Sequence, residues 1–304
     1  MANTPNHLLM QQVHSILARK EGSFLTRKAR YSASRRAVTV FARFQLCNLR
    51  QVRTRHLIAL VTDYLEDGHE VRSAQNLMAH VRYLLRKSGR GELLRHPHTT
   101  NDALGISGGS RSGVREPLQE VVMQDLVERA VAIEPGVASV IELGFHLGLR
   151  VQEAVMSAPD LPRWESVLAA ATTELPEIRV MRGTKGGRIR SVPVFNIVGA
   201  HAAVQRAIAV AALNGGHLLP GILPQALSRV YTVCSGLGMV GASSPHSARY
   251  AYCCGLIAHL HAAGWSERET LALAANALGH GAQRTDWVRK VYGQSVQDLW
   301  TRGR

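Results

Sequence analysis

The chain has 304 residues, 46% of them hydrophobic, which is enough for two ordinary domains with sizeable cores. Its apolar stretches are too short to span a membrane, and its first residues lack a basic segment leading into an apolar one, so we predict a cytoplasmic protein. A count of 36 Lys and Arg against 22 Asp and Glu gives a net charge of +14, which favours a polyanionic partner.

The positive charge is concentrated in the first third of the chain. Residues 1–110 hold 17 Lys and Arg against 7 Asp and Glu, a balance of +10, whereas the other 194 residues carry +4. A basic segment of this size suits nucleic acid, the commonest polyanion, and the alternative is a solvated basic surface.

Apolar residues between about residues 27 and 90 recur at helical spacing, with arginines on the opposite faces. The pattern predicts one helix with Val38 and Phe41 inward, a second capped by Thr54 and a third capped by Ser73. We interpret residues 1–95 as a helical DNA-binding domain. The basic residues predicted to contact phosphates are Arg35, Arg36, Arg43, Arg82, Arg86 and Lys87.

Residues 96–116 lose this periodicity and become rich in Gly, Ser, Thr and Asn. Such a composition is typical of a linker, so we predict a domain boundary here and a second domain over residues 117–304. Arg111 and Arg115, at the far end of the linker, are candidates for DNA contact or for simple solvation.

The second domain begins with helical patterns, of which residues 137–147 are mostly apolar and predicted to be buried. Gly148-Leu149-Arg150 follows directly. An arginine after a buried helix and a glycine turn is held rigidly at partial depth, where it needs an anion. That anion is either a ligand or the neighbouring Glu153.

Two short β-prone runs, residues 177–181 and 188–194, flank a glycine-rich turn. They predict an antiparallel hairpin with Lys185 at its tip. The glycine spacing is not that of a nucleotide-binding P-loop. The predicted fold is therefore mainly α-helical, with a small antiparallel β-sheet.

The last quarter holds the remaining candidates. Pro245 is predicted to start a helix that carries His246 and Arg249 one turn apart, and Ser266 with Glu269 reads as a capping box. Leu278-Gly279-His280 then ends that second helix, and a short helix over about residues 286–291 leads to Tyr292.

The cysteines and nearby histidines give no sign of a metal site or a disulfide framework. Cys253-Cys254 and the pair His259 and His261 lack zinc-type spacing and do not share one helical face. Four cysteines in a chain of this length are better explained as buried thiols in a reducing compartment.

Taken together, these motifs resemble the tyrosine site-specific recombinases, the phage-integrase family. Residues 148–153 are similar to the family's first-arginine box, residues 183–193 to its lysine hairpin, and His246-Ser247-Ala248-Arg249 to its His-x-x-Arg box. Leu278-Gly279-His280 and Val291-Tyr292 complete the set in the family's order. The resemblance implies that the first domain is a core-binding domain and the second a catalytic domain.

The resemblance also implies a role for each residue. Arg150 and Arg249 would clamp the nonbridging phosphate oxygens, because guanidinium forks bind such oxygens bidentately. Tyr292 would attack the phosphorus, with His246 as proton acceptor or orienting group. His280 would hydrogen-bond the phosphate, although Trp287 is an alternative because some family members carry tryptophan in that role.

Lys185 would protonate the departing 5′ oxygen. The product would be a 3′-phosphotyrosyl bond with a free 5′-hydroxyl, formed without a cofactor or a metal ion. The implied partners are double-stranded DNA with a specific recombination site, three further copies in a tetramer, and accessory DNA-bending proteins. The implied task is integration or excision of a mobile element, and the C-terminal segment, with Val296, Leu299 and Trp300, would pass to a neighbouring subunit.

Two other functions remain open at the level of sequence. A type IB topoisomerase shares the chemistry but relaxes DNA as a monomer, without strand exchange. A catalytically inactive DNA-binding protein would need little more than the basic first third of the chain.

Overall fold

The computed structural model describes residues 4–19, 21–110, 113 and 115–300, apart from the side chain of Phe24. The chain divides into two compact units, Met1–Arg111 and Ser112–Arg304. Arg111, one of the sequence candidates for DNA contact, lies outside the described residues. No helix in the described ranges is both long and apolar enough to cross a membrane.

The first unit is a helical bundle. Its helices are α1 (Pro5–Leu17), α2 (Phe24–Arg43), α3 (Thr54–Glu66) and α4 (Val71–Lys87), with 3-10 turns at Leu49–Gln51, Glu92–Arg95 and Pro97–Thr99. Val38 and Phe41 are fully buried in its core, as their spacing predicted. The third predicted helix begins at Val71 rather than after Ser73, because Glu70 occupies the extended position before its first turn.

The segment interpreted as a linker, residues 96–116, contains ordered structure. Leu104 and Ile106 are buried in the core of the first unit. The guanidinium of Arg82 donates to the side chain of Asn101 and to the carbonyl of Thr99, both at 2.8 Å, and so fixes the segment onto α4. The division between the two units falls inside this segment, after residue 111.

The second unit is built around α6, which packs against α5, α9 and α11. Its helices are α5 (Glu120–Ile133), α6 (Pro135–Leu147), α7 (Val151–Val155), α8 (Leu161–Ala169), α9 (Ile197–Leu213), α10 (Leu223–Gly236), α11 (Ser247–Ala262), α12 (Glu267–Ala277) and α13 (Thr285–Val291). Nearly every residue of α6 is buried, which explains why its sequence lacks a polar face.

A two-stranded antiparallel sheet, β1 (Glu177–Val180) and β2 (Arg190–Pro193), packs beside α8 and α12. Ile178 pairs with Val192 in its register. The predicted mainly helical fold with a small antiparallel sheet is therefore confirmed.

Two details of the predicted helix ends can be compared directly with the structure. Ser266 accepts from the backbone N–H of Glu269 at 3.3 Å while the Glu269 carboxylate accepts from that of Ser266, so the capping box is confirmed. In contrast, α11 begins at Ser247 rather than at Pro245, and His246 is its N-terminal cap residue.

Candidate active site

Two helix ends hold the arginines of the motifs in place. Helix α6 ends at Gly148, whose left-handed backbone (φ 58°) admits no side chain because a Cβ atom would overlap the ring of Tyr252. Arg150 follows as the cap of α7, donating to Glu153 Oε1 at 2.6 Å and to the carbonyl of Leu278 at 3.0 Å. Its side chain is 23% exposed.

Arg249 lies on the first turn of α11 and is fully buried. Its terminal nitrogens donate to the carbonyls of Gly148 and Leu278, which follow the last residues of α6 and α12. Carbonyls at helix C-termini have no intrahelical partner and carry the negative end of the helix dipole, so they suit a guanidinium. Nε of Arg249 is buried and, among the described atoms, has no hydrogen-bond partner.

A third arginine, Arg190 on β2, completes this cluster and was not assigned a role from sequence. It donates to Glu153 Oε2 at 2.7 Å and to the carbonyls of Gly148 and Ala277. Burial lowers its pKa to about 10, an effect that Glu153 opposes. At the start of β2 the buried Arg190 and Val192 flank the half-buried Ser191, and this short alternation was the available signal.

The carboxylate of Glu153 sits among the three guanidinium groups and is fully buried. Burial raises its pKa, but the positive charges of Arg190, Arg249 and Arg150 outweigh burial and bring the pKa to about 2. Three cations and one anion leave a net charge of +2. The internal pairing of Arg150 with Glu153, one of the two sequence readings, therefore exists, and it leaves excess positive charge at the site.

The Leu-Gly-His motif is a helix C-cap that directs His280 to the cluster. Gly279 adopts a left-handed conformation (φ 67°). Its N–H donates to the carbonyl of Asn276 at 2.8 Å, and the N–H of His280 donates to the carbonyl of Ala275 at 2.9 Å. This pair of bonds defines a Schellman motif, in which glycine avoids the strain of a side chain. Leu278, the cap residue, contributes the carbonyl that Arg150 and Arg249 share.

His280 faces the side chain of Tyr292, with ring centroids 5.8 Å apart. Its Nε2 is buried and makes no hydrogen bond with the described atoms. Burial, followed by the charges of Arg249 and Arg150, lowers its pKa to about 4. The ring of Trp287, the alternative to His280, lies 6.3 Å from the His280 ring, and its indole nitrogen is likewise buried without a described partner.

Tyr292 is the cap residue that follows α13, and it is 5% exposed. Its hydroxyl lies 3.3 Å from Nε2 of His246, and its ring packs against that of Tyr250 with centroids 4.5 Å apart. The guanidinium carbon of Arg249 is 5.9 Å from the centroid of the Tyr292 ring. The tyrosine is therefore enclosed by His246, Tyr250, Arg249 and His280.

Burial, and then the charge of Arg249 and those of Arg115 and Arg150, lower the pKa of His246 to about 3. The imidazole is neutral at physiological pH, so a nitrogen facing Tyr292 is free to accept a proton. His246 is placed there by its position as cap of α11, with its ring edge-on to Tyr250 at 5.7 Å.

Lys185 occupies the turn between β1 and β2 and is exposed, as the hairpin predicted. It lies near enough to His280 to contribute to the lowered pKa of that histidine. The structure thus brings together Arg150, His246, Arg249, His280 and Tyr292, with Lys185 on the adjoining turn.

The six basic residues predicted to contact DNA from the first unit differ in their surroundings. Arg36 is paired with Asp63 and Asp67, and Arg43 with Asp63. Lys87 is paired with Glu21 at 2.7 Å. Arg82 is used in fixing residues 99–101, as described above. Arg35 and Arg86 are exposed on α2 and α4.

Among the described residues, no group of three His, Cys, Asp or Glu side chains comes together in a way that could hold a metal ion. The four cysteines are not joined in disulfides. Cys254 instead donates from its thiol to the carbonyl of Tyr292 at 3.2 Å.

Two family models match the chain: "Phage integrase, N-terminal" over residues 7–94 and "Integrase" over residues 105–255. The chain belongs to the tyrosine site-specific recombinases, the phage-integrase family. The resemblance noted in the sequence is confirmed. No curated sequence relative matches this recombinase.

Solved integrase structures share the recombinase fold along nearly the whole chain. The Tn1549 transposon integrase in complex with transposon right end DNA has a TM-score of 0.57 at 14% identity, covering 98% of this chain and 99% of that one. A lambda integrase dimer bound to a COC′ core site has a TM-score of 0.54 at 17% identity, covering 93% and 78%. A lambda integrase tetramer bound to a Holliday junction gives 0.54 at 16% identity, covering 92% and 76%.

Proposed function

We propose that this recombinase cleaves and rejoins double-stranded DNA at a specific site, with Tyr292 as the nucleophile and a 3′-phosphotyrosyl bond as the intermediate. The observation that carries the proposal is the Tyr292 hydroxyl, held 3.3 Å from a neutral His246 beside an arginine cluster of net charge +2. Nucleophile, base and anion site are thereby within one pocket.

The scissile phosphate would bind at the arginine cluster. Nε of Arg249 and Nε2 of His280 are buried polar atoms without partners among the described atoms, and leaving such atoms unpaired costs about 1–3 kcal/mol each. A phosphate oxygen would satisfy them. Arg150, whose side chain is 23% exposed, would supply a charge-assisted hydrogen bond from the solvent side.

The side chains of the pocket account for each bond that forms or breaks and for each proton that is transferred. The Tyr292 oxygen attacks phosphorus and passes its proton to Nε2 of His246. The bond to the 5′ oxygen breaks, and Lys185 gives a proton to that oxygen. The products are a 3′-phosphotyrosyl bond and a free 5′-hydroxyl. A 5′-hydroxyl from another strand reverses the steps and reseals the DNA.

DNA binding and assembly follow from the same proposal. Related integrases have been solved on transposon end DNA, on a core site and, as a tetramer, on a Holliday junction, which supports a tetramer of this chain on its recombination site. The first unit would grip the DNA through its basic faces. Integration or excision of a mobile element is the task that fits, with accessory DNA-bending proteins as further partners.

A trapping experiment tests the function. DNA covalently attached to Tyr292 in cells is recovered and sequenced, and a nicked suicide duplex with that site is incubated with purified protein. Wild type should form a covalent adduct, Tyr292→Phe should form none, and Tyr231→Phe, which alters an exposed tyrosine on α10, should match wild type.

The outcomes separate the other two functions. Adduct at random sequences, with plasmid relaxation by a monomer, would favour a topoisomerase. Binding without adduct would indicate an inactive DNA-binding protein, and adduct formed by Tyr292→Phe would disprove the nucleophile assignment.

A further inference from the structure

The chain segment that opens the second unit, Gly113 with residues 115–118, crosses the end of α13. The N–H of Gly113 donates to the carbonyl of Lys290 at 3.1 Å. A Cβ atom on Gly113 would overlap the carbonyl oxygen of Val291, the residue before Tyr292. We call Gly113 with residues 115–118 the crossing segment. Its backbone is in direct contact with the helix end that carries the nucleophile.

The crossing segment also follows the start of α11. Glu116 donates its N–H to the carbonyl of Ala242, and Leu118 donates to that of Ser247, each at 3.3 Å. These two acceptors flank His246, the cap of the helix. One short stretch of chain therefore contacts both elements that meet at the pair formed by Tyr292 and His246.

Arg115 reaches from the crossing segment toward the active site. Its Nε donates to the hydroxyl of Ser244 at 2.9 Å. Its guanidinium also interacts with the hydroxyl of Tyr250. Burial raises the pKa of Tyr250, and this interaction with Arg115 opposes the rise. Tyr250 is 2% exposed and forms the wall against which the ring of Tyr292 packs.

We propose that Arg115 is a positioning residue for the cleavage reaction. It holds Tyr250 and Ser244 in place, and these two residues in turn position Tyr292 and His246. The proposal rests on the proposed function of Tyr292. Arg115 has no place in the arginine cluster around Glu153, since it approaches the tyrosine from the side of Ser244 and Tyr250.

Charge supplies a second link between Arg115 and the reaction. The groups that face His246 are Arg249 and Tyr250 on its own helix, and Arg115, Arg150, His280 and Tyr292 from other parts of the unit. Arg115 is the second-largest of the charges that keep the pKa of His246 low, after Arg249. Its removal should raise that pKa.

The experiment measures single-turnover adduct formation on the suicide duplex between pH 3 and 8, a range that includes the pKa of His246 at about 3, together with DNA affinity. Arg115→Ala should slow the reaction by about 10- to 100-fold, as expected when a reacting group is misplaced by about 1 Å. Affinity should change by less than about threefold, because the proposal gives Arg115 no phosphate to bind. The acid limb of the rate profile should move to higher pH.

Three further variants separate position from charge. Arg115→Lys keeps the charge but not the planar fork, so its rate should fall while its acid limb stays in place. Tyr250→Phe keeps the ring and loses the hydroxyl, so it should slow the reaction, and adding Arg115→Ala should slow it by less than the product of the two effects. Gly113→Ala displaces the segment without removing charge and should lower the rate without moving the acid limb.

Equal losses of rate and affinity in Arg115→Ala would overturn the proposal, because Arg115 would then be a DNA contact. An unchanged rate would overturn it as well. Titration of His246 by NMR in the DNA-free protein gives a readout that needs no activity: its pKa should rise in Arg115→Ala and stay constant in Arg115→Lys. If the pKa of His246 did not rise in Arg115→Ala, the electrostatic link between Arg115 and His246 would be contradicted, even if wild type formed no adduct. The absence of adduct in wild type would instead count against the proposed function itself.

Discussion

The hydroxyl of Tyr292 lies 3.3 Å from Nε2 of His246, although the two residues are 46 positions apart in sequence. Helices α13 and α11 bring them together, and Tyr250 supports both rings. Burial and the neighbouring charges lower the pKa of His246, so its imidazole is neutral and has one nitrogen able to accept a hydrogen bond.

Replacing His246 should separate catalysis from binding. His246→Ala is expected to slow adduct formation by about 10²–10⁴-fold, the usual contribution of a positioned acid or base. DNA affinity should stay close to that of wild type. Adduct bands on denaturing gels, beside gel-shift titrations, measure the two quantities, and His217→Ala, on the loop before α10, serves as the control. A wild-type rate in His246→Ala would show that another group takes the proton.

Glu153 should be essential for the stability of the second unit. Glu153→Gln removes the carboxylate that Arg150 and Arg190 share, and breaking a buried pair by removing one partner costs about 3–5 kcal/mol. Glu142→Gln is the matched control, since its partner Arg206 is 53% exposed and can be solvated. Denaturant unfolding followed by tryptophan fluorescence reports on this unit, which contains all four tryptophans. Equal losses in both variants would contradict the prediction.

Stability should fall as the pH is lowered from about 6.5 toward 4. The pKa values of His146, His246 and His280 are about 4, 3 and 4 in the folded protein, all lowered first by burial, against 6.5 for an ordinary histidine. The unfolded chain therefore binds more protons in this window, and each histidine favours unfolding increasingly as pH falls through it.

The midpoint of urea unfolding at pH 7.5, 6.0 and 5.0 measures this effect. His146→Gln, in α6, should make the unfolding midpoint depend less on pH without altering the pocket around Tyr292. A midpoint that stays constant to pH 5 would mean that these histidines are protonated in the folded protein.

The exposed and the ion-paired arginines of α2 should contribute differently to DNA affinity and to its dependence on salt. Arg35 is exposed, whereas Arg36 is paired with Asp63 and Asp67. Arg35→Ala should weaken binding across sequences and reduce the slope of log affinity against log salt by about 1, the signature of one lost phosphate contact. Arg36→Ala should leave that slope unchanged. The opposite ranking would show that DNA breaks the ion pairs of Arg36.

Deleting residues 295–304 tests whether the C-terminal segment is exchanged between subunits. In the structure Val296, Leu299 and Trp300 pack against the core of their own unit, and the ring of Trp300 meets that of His261 edge-on, with centroids 4.8 Å apart. If the segment also joins subunits, the truncated protein should bind DNA and form adduct but fail to recombine. If it serves only its own unit, truncation should lower stability and leave recombination per folded molecule unchanged.

Local patterns were sufficient for much of the fold and most of the candidate site. The capping box at Ser266, the hairpin around Lys185 and the turn at Gly279 each depend on a few neighbouring residues, so the sequence reveals them. Arg190 was missed because an arginine in a β-prone run reads as a surface residue until its buried partner is known. The ion pairs of Arg36 could not be predicted for the same reason, since Asp63 lies on another helix, α3, and Asp67 caps the end of that helix.

The ring of Tyr292 lies over the guanidinium of Arg249 and fills part of the pocket. The ring and the guanidinium shield each other from water, with exposures of 5% and 0%. Because Arg249 is fully buried, we expect the Tyr292 ring to shift when a scissile phosphate binds there.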